Sequence, residues 1–308
     1  MTPRRVEVEV EGRRLKLSNL DKVLYPAVGF TKGQVIDYYT RVGPFILPHL
    51  AGRALTLHRF PDGVDSGGFF AKNAPSHRPD WIPTVAVPSS RGREQVEYLI
   101  VNELAALVWC ANLAGLELHA PMARADAQRR PTAVVFDLDP GAPADVLACC
   151  EVALWLRAAL DQLGLRAVPK TSGSKGLQLY LGLDGTVDDE TAKAFALALA
   201  ELLERTHPDR VVSRMSRSLR PGKVLVDWSQ NDHSKTTIAP YSLRAREHPT
   251  VSTPLTWDEV EAALDGGDPG ALRFEASAVI ERAQRDGDLF AGALQDGQTL
   301  PALDGDGA

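Results

Sequence analysis

Apolar and polar residues alternate strictly over residues 6–17 (VEVEVEGRRLKL), and a Glu-Gly pair breaks the run at its centre. A period of two around a turn dipeptide predicts a β-hairpin. Thr31 stands in front of a helical period over residues 32–42 and is placed to cap that helix, with Pro44 beyond its end. Residues 51–60 (AGRALTLHRF) and 83–87 read as strands, and 94–115 is an amphipathic stretch closed by a glycine, which predicts a helix. The apolar run at 133–139 (AVVFDLD) predicts a strand, followed by a helix over 144–163 stopped by Gly164. Residues 167–183 read as strand–turn–strand and 189–206 as helix. Short strands near 211–213 and 224–227 precede a helix-rich acidic end. Helices and strands alternating in this way predict an α/β or α+β sheet protein. There is no internal repeat and no heptad run, and residues beyond Asp288 have the composition of a loose tail.

Composition adds bounds. A chain of 308 residues has room for one large domain or two small ones around a real core. With 44% hydrophobic and 24% charged residues, 25 glycines and 21 prolines, it is neither collagen-like, low-complexity nor wholly disordered. No apolar run approaches the ~18–20 residues of a membrane span. The start, MTPRRVEVEVEGRR, is too charged for a signal peptide. Cys110, Cys149 and Cys150 form no paired framework and no CxxC knuckle, so a reduced, cytoplasmic setting is expected. The net charge of −6 is uneven. Residues 251–308 hold 12 acidic groups against 3 arginines, and the other 250 carry 31 basic against 28 acidic. An acidic end therefore masks a slightly basic body, and a local basic surface stays open.

The chemistry concentrates in three places. In Val134-Val135-Phe136-Asp137-Leu138-Asp139-Pro140-Gly141 a β-run delivers two carboxylates at i and i+2. They leave the same face with Cα atoms ~6–7 Å apart, at the edge where Pro-Gly ends the strand. Hard oxygen donors there suit Mg²⁺ or Mn²⁺; a polar strand end before a turn is the plainer reading. Lys223-Val224-Leu225-Val226-Asp227-Trp228 ends the same way, so Asp227 is a third carboxylate if the strands are neighbours, or merely caps the turn into Ser229-Gln230-Asn231. Three carboxylates around two cations are the usual apparatus of in-line phosphoryl transfer. Thr171-Ser172-Gly173-Ser174-Lys175-Gly176 can curl its N–H groups toward an anion beside a lysine, although it lacks the P-loop spacing. Arg214, Arg217, Arg220, Lys223, Lys235 and Arg244 crowd the neighbourhood of the third carboxylate, as a nucleoside triphosphate site requires.

Seven blocks in order make a resemblance. DKVLYP (21–26), FFAK (69–72), ELH (117–119), FDLDPG (136–141), TSGSKG (171–176), SLRPGKVLVDWSQN (218–231) and KTTIAPYSLRAR (235–246) resemble the polymerase domain of bacterial DNA ligase D, a member of the archaeo-eukaryotic primase superfamily. The resemblance runs over roughly residues 15–290. It implies an α/β module joined to an antiparallel-sheet module of the RNA-recognition type, with the active site between them, as one domain over 1–290 and an acidic tail over 291–308. Asp137, Asp139 and Asp227 would bind two divalent cations, Mn²⁺ or Mg²⁺, that join a primer 3′-hydroxyl to the α-phosphate of an incoming NTP or dNTP. His119, Ser172, Lys175, Arg220, Gln230 and Arg244 match nucleotide-binding positions; for His119 alone, a half-buried histidine satisfied at a strand end is the plainer reading. Phe69 and Phe70 would stack on the nascent base pair and wedge the template, at ~1–3 kcal/mol per stacked base, rather than join a core; Lys72 could reach phosphate. Asn19, Lys22 and Lys32 match the grip on a 5′-phosphate across a DNA gap.

This chain departs from the pattern in places. Gln178 stands where many relatives carry histidine, and His58, beside Arg59, stands where a close relative has lysine. The connection between His119 and Asp137 is shorter than in some relatives. No ligase or nuclease segment accompanies the blocks, so ligation is expected from a separate ligase, with an end-binding protein as a further partner. The expectation is a monomeric, membrane-free, nucleoid-associated enzyme of gap repair or non-homologous end joining, adding one or a few nucleotides, ribonucleotides by preference. A non-catalytic end-bridging module would not need the three carboxylates. A primase that starts chains unaided normally carries zinc-knuckle cysteines, absent here. A small-molecule phosphohydrolase leaves the Phe pair and the basic cluster without a role.

Overall fold

The structure, a computed structural model, describes residues 5–88, 95–295 and 297–301. Its elements begin with β1 (Arg5–Val10), β2 (Arg13–Ser18), β3 (Val23–Tyr25), β4 (Phe30–Thr31), α1 (Lys32–Leu50), β5 (Thr56–Arg59), β6 (Phe69–Ala71), β7 (Thr84–Pro88), β8 (Gln95–Leu99), α2 (Leu104–Asn112) and β9 (Gly115–Ala120). They continue with β10 (Ala133–Pro140), α3 (Val146–Gln162), β11 (Val168–Thr171), β12 (Leu177–Gly182), α4 (Asp189–Thr206), β13 (Val211–Val212) and β14 (Val224–Asp227). β15 (Thr237–Ile238), α5 (Trp257–Gly266), α6 (Ala276–Asp286) and α7 (Gly292–Gln295) follow. Unit 1 takes Met1–Pro121, Thr236–Thr253 and Phe274–Asp288; unit 2 takes Met122–Lys235, Pro254–Arg273 and Leu289–Ala308.

Unit 2 is built on a sheet ordered β11-β12-β10-β14-β13, antiparallel except for the β13–β14 pair. Read along the chain, β10-α3-β11-β12-α4-β14 is a β-α-β-β-α-β unit with its first strand central. This is the RNA-recognition topology expected from the resemblance. Alternation along β10 explains its two faces. Val134, Phe136 and Leu138 are fully buried, and α3 and α4 pack against this strand. The opposite face presents Val135, Asp137 and Asp139, with Val135 packed among Tyr180, Phe290 and Ala293. The helix starts are chemically fixed: Asp145 accepts from the Leu147 amide (2.9 Å) and Asp188 from the Thr191 amide (2.8 Å). Residues 291–301 lie in unit 2, where Ala293 of α7 is buried and Gln298 bridges to Leu183. Residue 296 and residues 302–308 of the expected tail lie outside the described residues.

Unit 1 holds a four-stranded antiparallel sheet ordered β15-β9-β5-β6 and the hairpin β1–β2, with Val10 paired to Arg13 around the Glu11-Gly12 turn. Its core gathers Val35, Tyr39, Val42, Ile46 and Leu50 of α1 with Leu107 and Val108 of α2 and Val279 of α6. Two expectations need correction. The helix begun by Thr31, with its capping box to Gln34, does not stop before Pro44 but runs to Leu50 with Pro44 and Pro48 inside it. Burial of Ile46 and Leu50 outweighs the hydrogen bonds those prolines forfeit. Residues 95–115 are not one helix. QVEYL alternates exposed and less exposed residues and pairs with β7 as a strand, and the helix starts only at Leu104. The period-two signal there is short and was outweighed by the longer apolar run after it.

Gly141 and Gly176 are the close approaches of unit 2. A Cβ at Gly141 would lie 2.1 Å from the Arg220 carbonyl oxygen, and one at Gly176 2.1 Å from that of Leu138. Either would push two backbone segments apart. Gly141→Ala should therefore lower stability by roughly 1–3 kcal/mol, seen as a fall in Tm. Gly266→Ala, where a Cβ meets nothing within 4 Å, should leave Tm unchanged or slightly raised. Equal melting temperatures for Gly141→Ala and the unsubstituted protein would contradict this packing.

Candidate active site

The sheet of unit 2 brings the three predicted carboxylates together on two adjacent inner strands, β10 and β14. Antiparallel register places Asp137 directly opposite Asp227 on β14 and opposite Gln178 on β12, while Lys170 on β11 faces Gln178. Asp139 shares the Asp137 face two residues on and is exposed. Asp227 is held in place by its own turn: the Ser229 amide donates to Oδ1 (3.0 Å) and Gln230 Nε2 to Oδ2 (2.8 Å). Gln230, matched by resemblance to a nucleotide-binding position, thus supports a carboxylate in this structure. Burial pushes the Asp137 carboxyl up to about 7, and the neighbouring charges of Asp139 and Asp227 add to it; a hydrogen bond from Gln178 and the charge of Lys170 oppose the rise. Crowded like-charged oxygens of this kind are the donor set a divalent cation relieves.

The 171–176 turn docks against the same strand end. Gly173 takes φ +68°, and Gly176 sits against the Leu138 carbonyl where a side chain would not fit. The expected inward curl of backbone amides is present, but Ser174 N (3.3 Å) and Gly176 N (3.1 Å) donate to Ser172 Oγ. Lys175 is exposed beside them. Arg220 uses Nη2 on the Met215 carbonyl (2.8 Å), and its Nε is buried with no hydrogen-bond partner. A buried guanidinium N–H without an acceptor fits an anionic ligand.

Unit 1 carries the other predicted residues. Glu117, to which the ELH motif alone assigns no role, is the centre of a knot. Its Oε2 accepts from His119 Nε2 (2.9 Å) and His58 Nδ1 (3.1 Å), and its Oε1 from Arg244 Nε (3.0 Å) and the Ala245 amide (3.0 Å). Burial alone would raise this carboxyl; the two histidine hydrogen bonds and the Arg244 charge outweigh it and hold Glu117 well below the usual carboxylate range. Burial lowers His119 in turn. The ligand atoms of His58, Glu117 and His119 lie within 4.8 Å of one another, so this set could also hold a metal ion. Phe70 stacks on His58 (4.0 Å, 11°) and meets His119 edge-on (5.6 Å). Phe69 and Phe70 are 49% and 57% exposed, with Arg59 over the Phe69 ring at 5.3 Å, so neither is a core residue. Lys72 is exposed.

Asn19, Lys22 and Lys32 meet at the start of α1. Asn19 adopts φ +54° and its carbonyl accepts from the Lys22 amide (3.0 Å). Lys22 Nζ pairs with Asp62 (2.7 Å), and buried Lys32 donates to the Ser18 carbonyl (2.6 Å). Burial, then the charges of Lys22 and Arg59, lower Lys32 to about 8. Arg59, given no role from sequence, completes this positive cluster.

An RNA-recognition-type sheet that carries three aspartates on one face beside a Ser/Gly turn has the build of the primase-polymerase class of nucleotidyltransferases. The family model described as "LigD, primase-polymerase domain" matches residues 31–290. The multifunctional non-homologous end joining protein LigD of Mycolicibacterium smegmatis is 43% identical over 280 residues, covering 90% of this chain and 36% of that protein. The bifunctional LigD of Bacillus subtilis is 33% identical, covering 90% and 44%. This chain thus spans well under half the length of these curated relatives. The polymerase domain of Mycobacterium tuberculosis ligase D in complex with DNA matches at TM-score 0.85 and 42% identity, covering 92% of this chain and 99% of that one. The chain belongs to the LigD primase-polymerase domain family. No helix among the described residues is long and apolar enough to cross a membrane.

The Lys32 environment has a pH signature. Its folded-state pKa of about 8 lies below the ordinary 10.5, so the folded protein binds fewer protons between those values. Stability should rise with pH across that window. Lys32→Met removes the buried charge, so it should raise Tm below pH 8, with the advantage shrinking toward pH 10.5. A Tm difference that is flat from pH 7 to 10 would refute the burial of this charge.

Proposed function

We propose that this protein is a template-dependent nucleotidyltransferase that adds one or a few nucleotides to a primer 3′-hydroxyl at DNA gaps or broken ends. The observation that carries the reading is the register of β10 and β14, which sets Asp227 opposite Asp137 with Asp139 on the same face. Two divalent cations held by these carboxylates would neutralise the triphosphate and lower the pKa of the attacking hydroxyl. Ser229 and Gln230 keep both oxygens of Asp227 oriented. Ser172, Lys175 and Arg220 are the phosphate-facing groups of unit 2. In unit 1, Glu117 fixes the rotamers of His119 and Arg244 for nucleotide contact, and the exposed Phe69 and Phe70 faces offer bases a stacking surface. Lys22, Lys32 and Arg59, with Asn19 shaping the turn, form a positive cluster whose repulsion at Lys32 a terminal 5′-phosphate would relieve, with Lys22 exchanging Asp62 for the phosphate. We further infer a preference for ribonucleotides, Mn²⁺ or Mg²⁺ as cofactor, and a separate ligase and end-binding protein as partners in end joining.

A variant with Asp137→Ala and Asp139→Ala should lose primer extension in Mn²⁺, by about 10³-fold or more, while still retarding gapped DNA in a gel. Undiminished extension overturns the metal assignment and favours the end-bridging reading. On one-nucleotide gaps, the unsubstituted protein should extend faster when the downstream strand carries a 5′-phosphate. Lys22→Ala with Lys32→Met should erase that preference and leave extension on plain primer-templates intact. If the phosphate makes no difference to the unsubstituted protein, the positive cluster has been misread.

A further inference from the structure

We propose that Lys170 is a positioning residue for the metal-binding face, acting on Asp137 through Gln178. The proposal deepens the reading above and rests on it. Four residues face one another across four adjacent strands: Lys170 on β11, Gln178 on β12, Asp137 on β10 and Asp227 on β14. Lys170 is fully buried, lies 5.5 Å from the Tyr180 ring centre, and puts Nζ 2.6 Å from Gln178 Oε1. Gln178 is buried as well and stands directly opposite Asp137 in the β10–β12 register, where its amide acts on that carboxylate.

The chemistry of an amide explains what this row does. One end of Gln178 only accepts and the other only donates, and the side chain can turn by half a revolution to exchange them. An ammonium has only donors, so Lys170 selects the oxygen. The NH₂ group is then left for the carboxylate, which can only accept while ionised. Without Lys170, nothing in the row prevents the amide from turning its oxygen to Asp137 and pushing the carboxylate from its place. Lys170 also brings a positive charge that acts on Asp137 and offsets part of the repulsion from the neighbouring aspartates before any cation arrives. An amide does not change protonation state, so the relay holds one polarity where an imidazole would have two. A buried lysine in a sheet is costly to desolvate, and core packing alone would be met by methionine.

The test is Mn²⁺ binding to metal-free protein by titration calorimetry, with primer extension against Mn²⁺ concentration alongside. Lys170→Met should fold, by near-UV circular dichroism, and bind Mn²⁺ about 10-fold more weakly, as loss of a group supporting a ligand does elsewhere. Its extension rate at saturating Mn²⁺ should stay close to that of the unsubstituted protein. Gln178→Met should show the same loss, and the double variant no more than either single one, because both break one chain. Unchanged Mn²⁺ affinity in Lys170→Met, or losses that multiply in the double variant, overturns the proposal. Should Lys170→Met fail to fold, Gln178→Met decides alone: normal Mn²⁺ affinity there overturns it. Asp227→Asn separates the two levels. If it keeps full Mn²⁺ binding and extension, the carboxylate reading itself fails; if it loses both while Lys170→Met loses neither, only the relay does.

Discussion

The antiparallel register of β12, β10 and β14 is the constraint on which the site depends. Side-chain direction in a strand has a period of two, so a slip of one residue between β10 and β14 would turn Asp227 to the helix-covered face. That slip is prevented by the apolar residues between the carboxylates. Val134, Phe136 and Leu138 are fully buried on one side of β10, and Leu225 and Val226 pair with Asp139 and Leu138 across β14. Hydrophobic burial therefore sets the register, and the register sets the carboxylates. The like-charge repulsion they suffer is tolerated because the sheet beneath them leaves no other position.

Charge in this molecule works locally. A net −6 gives no attraction to DNA at a distance. Lys32 is instead buried beside Lys22 and Arg59, where loss of water first and their like charges second bring its pKa down, and Arg220 keeps a buried N–H unpaired. Lys32 thus carries a cost of burial and like-charge proximity within the protein, while Lys22 offsets part of its own charge with Asp62.

Much of this was legible in the sequence. The β-run ending in Asp137-Leu138-Asp139-Pro-Gly, the hairpin at residues 6–17 and the helix over 189–206 follow from local periodicity and caps, and the structure has all three. What escaped depends on partners far along the chain. The continuation of α1 past Pro44 is decided by the burial of Ile46 and Leu50 in a core shared with α2 and α6. Lys170 looks like any strand lysine until β12 places Gln178 opposite it. Glu117 alternates with apolar neighbours in GLELHA as a surface residue would, although it is buried and bound by residues 58, 119, 244 and 245. Two ionisable residues, Glu117 and His119, on one face of a strand whose other face is apolar were the available sign, and the more distant partners are not identified by sequence alone.

Asp137 and Glu117 show how one physical effect yields opposite outcomes. Burial pushes both carboxyls upward. Around Glu117 four donors, one of them a guanidinium, occupy both oxygens and pull the carboxyl back down. A cation among His58, Glu117 and His119 would have to displace two hydrogen-bonding protons and sit close to Arg244. Around Asp137 the neighbours are Asp139 and Asp227, and Gln178 supplies the compensating hydrogen bond. The first arrangement gains nothing from added positive charge, because its own is already in place. The second is completed only by it. Satisfaction of the carboxylates, more than the number of ligand atoms within reach, therefore separates the two clusters: the aspartates keep an unmet demand for positive charge, whereas Glu117 is already satisfied and holds the side chains of His119 and Arg244 still.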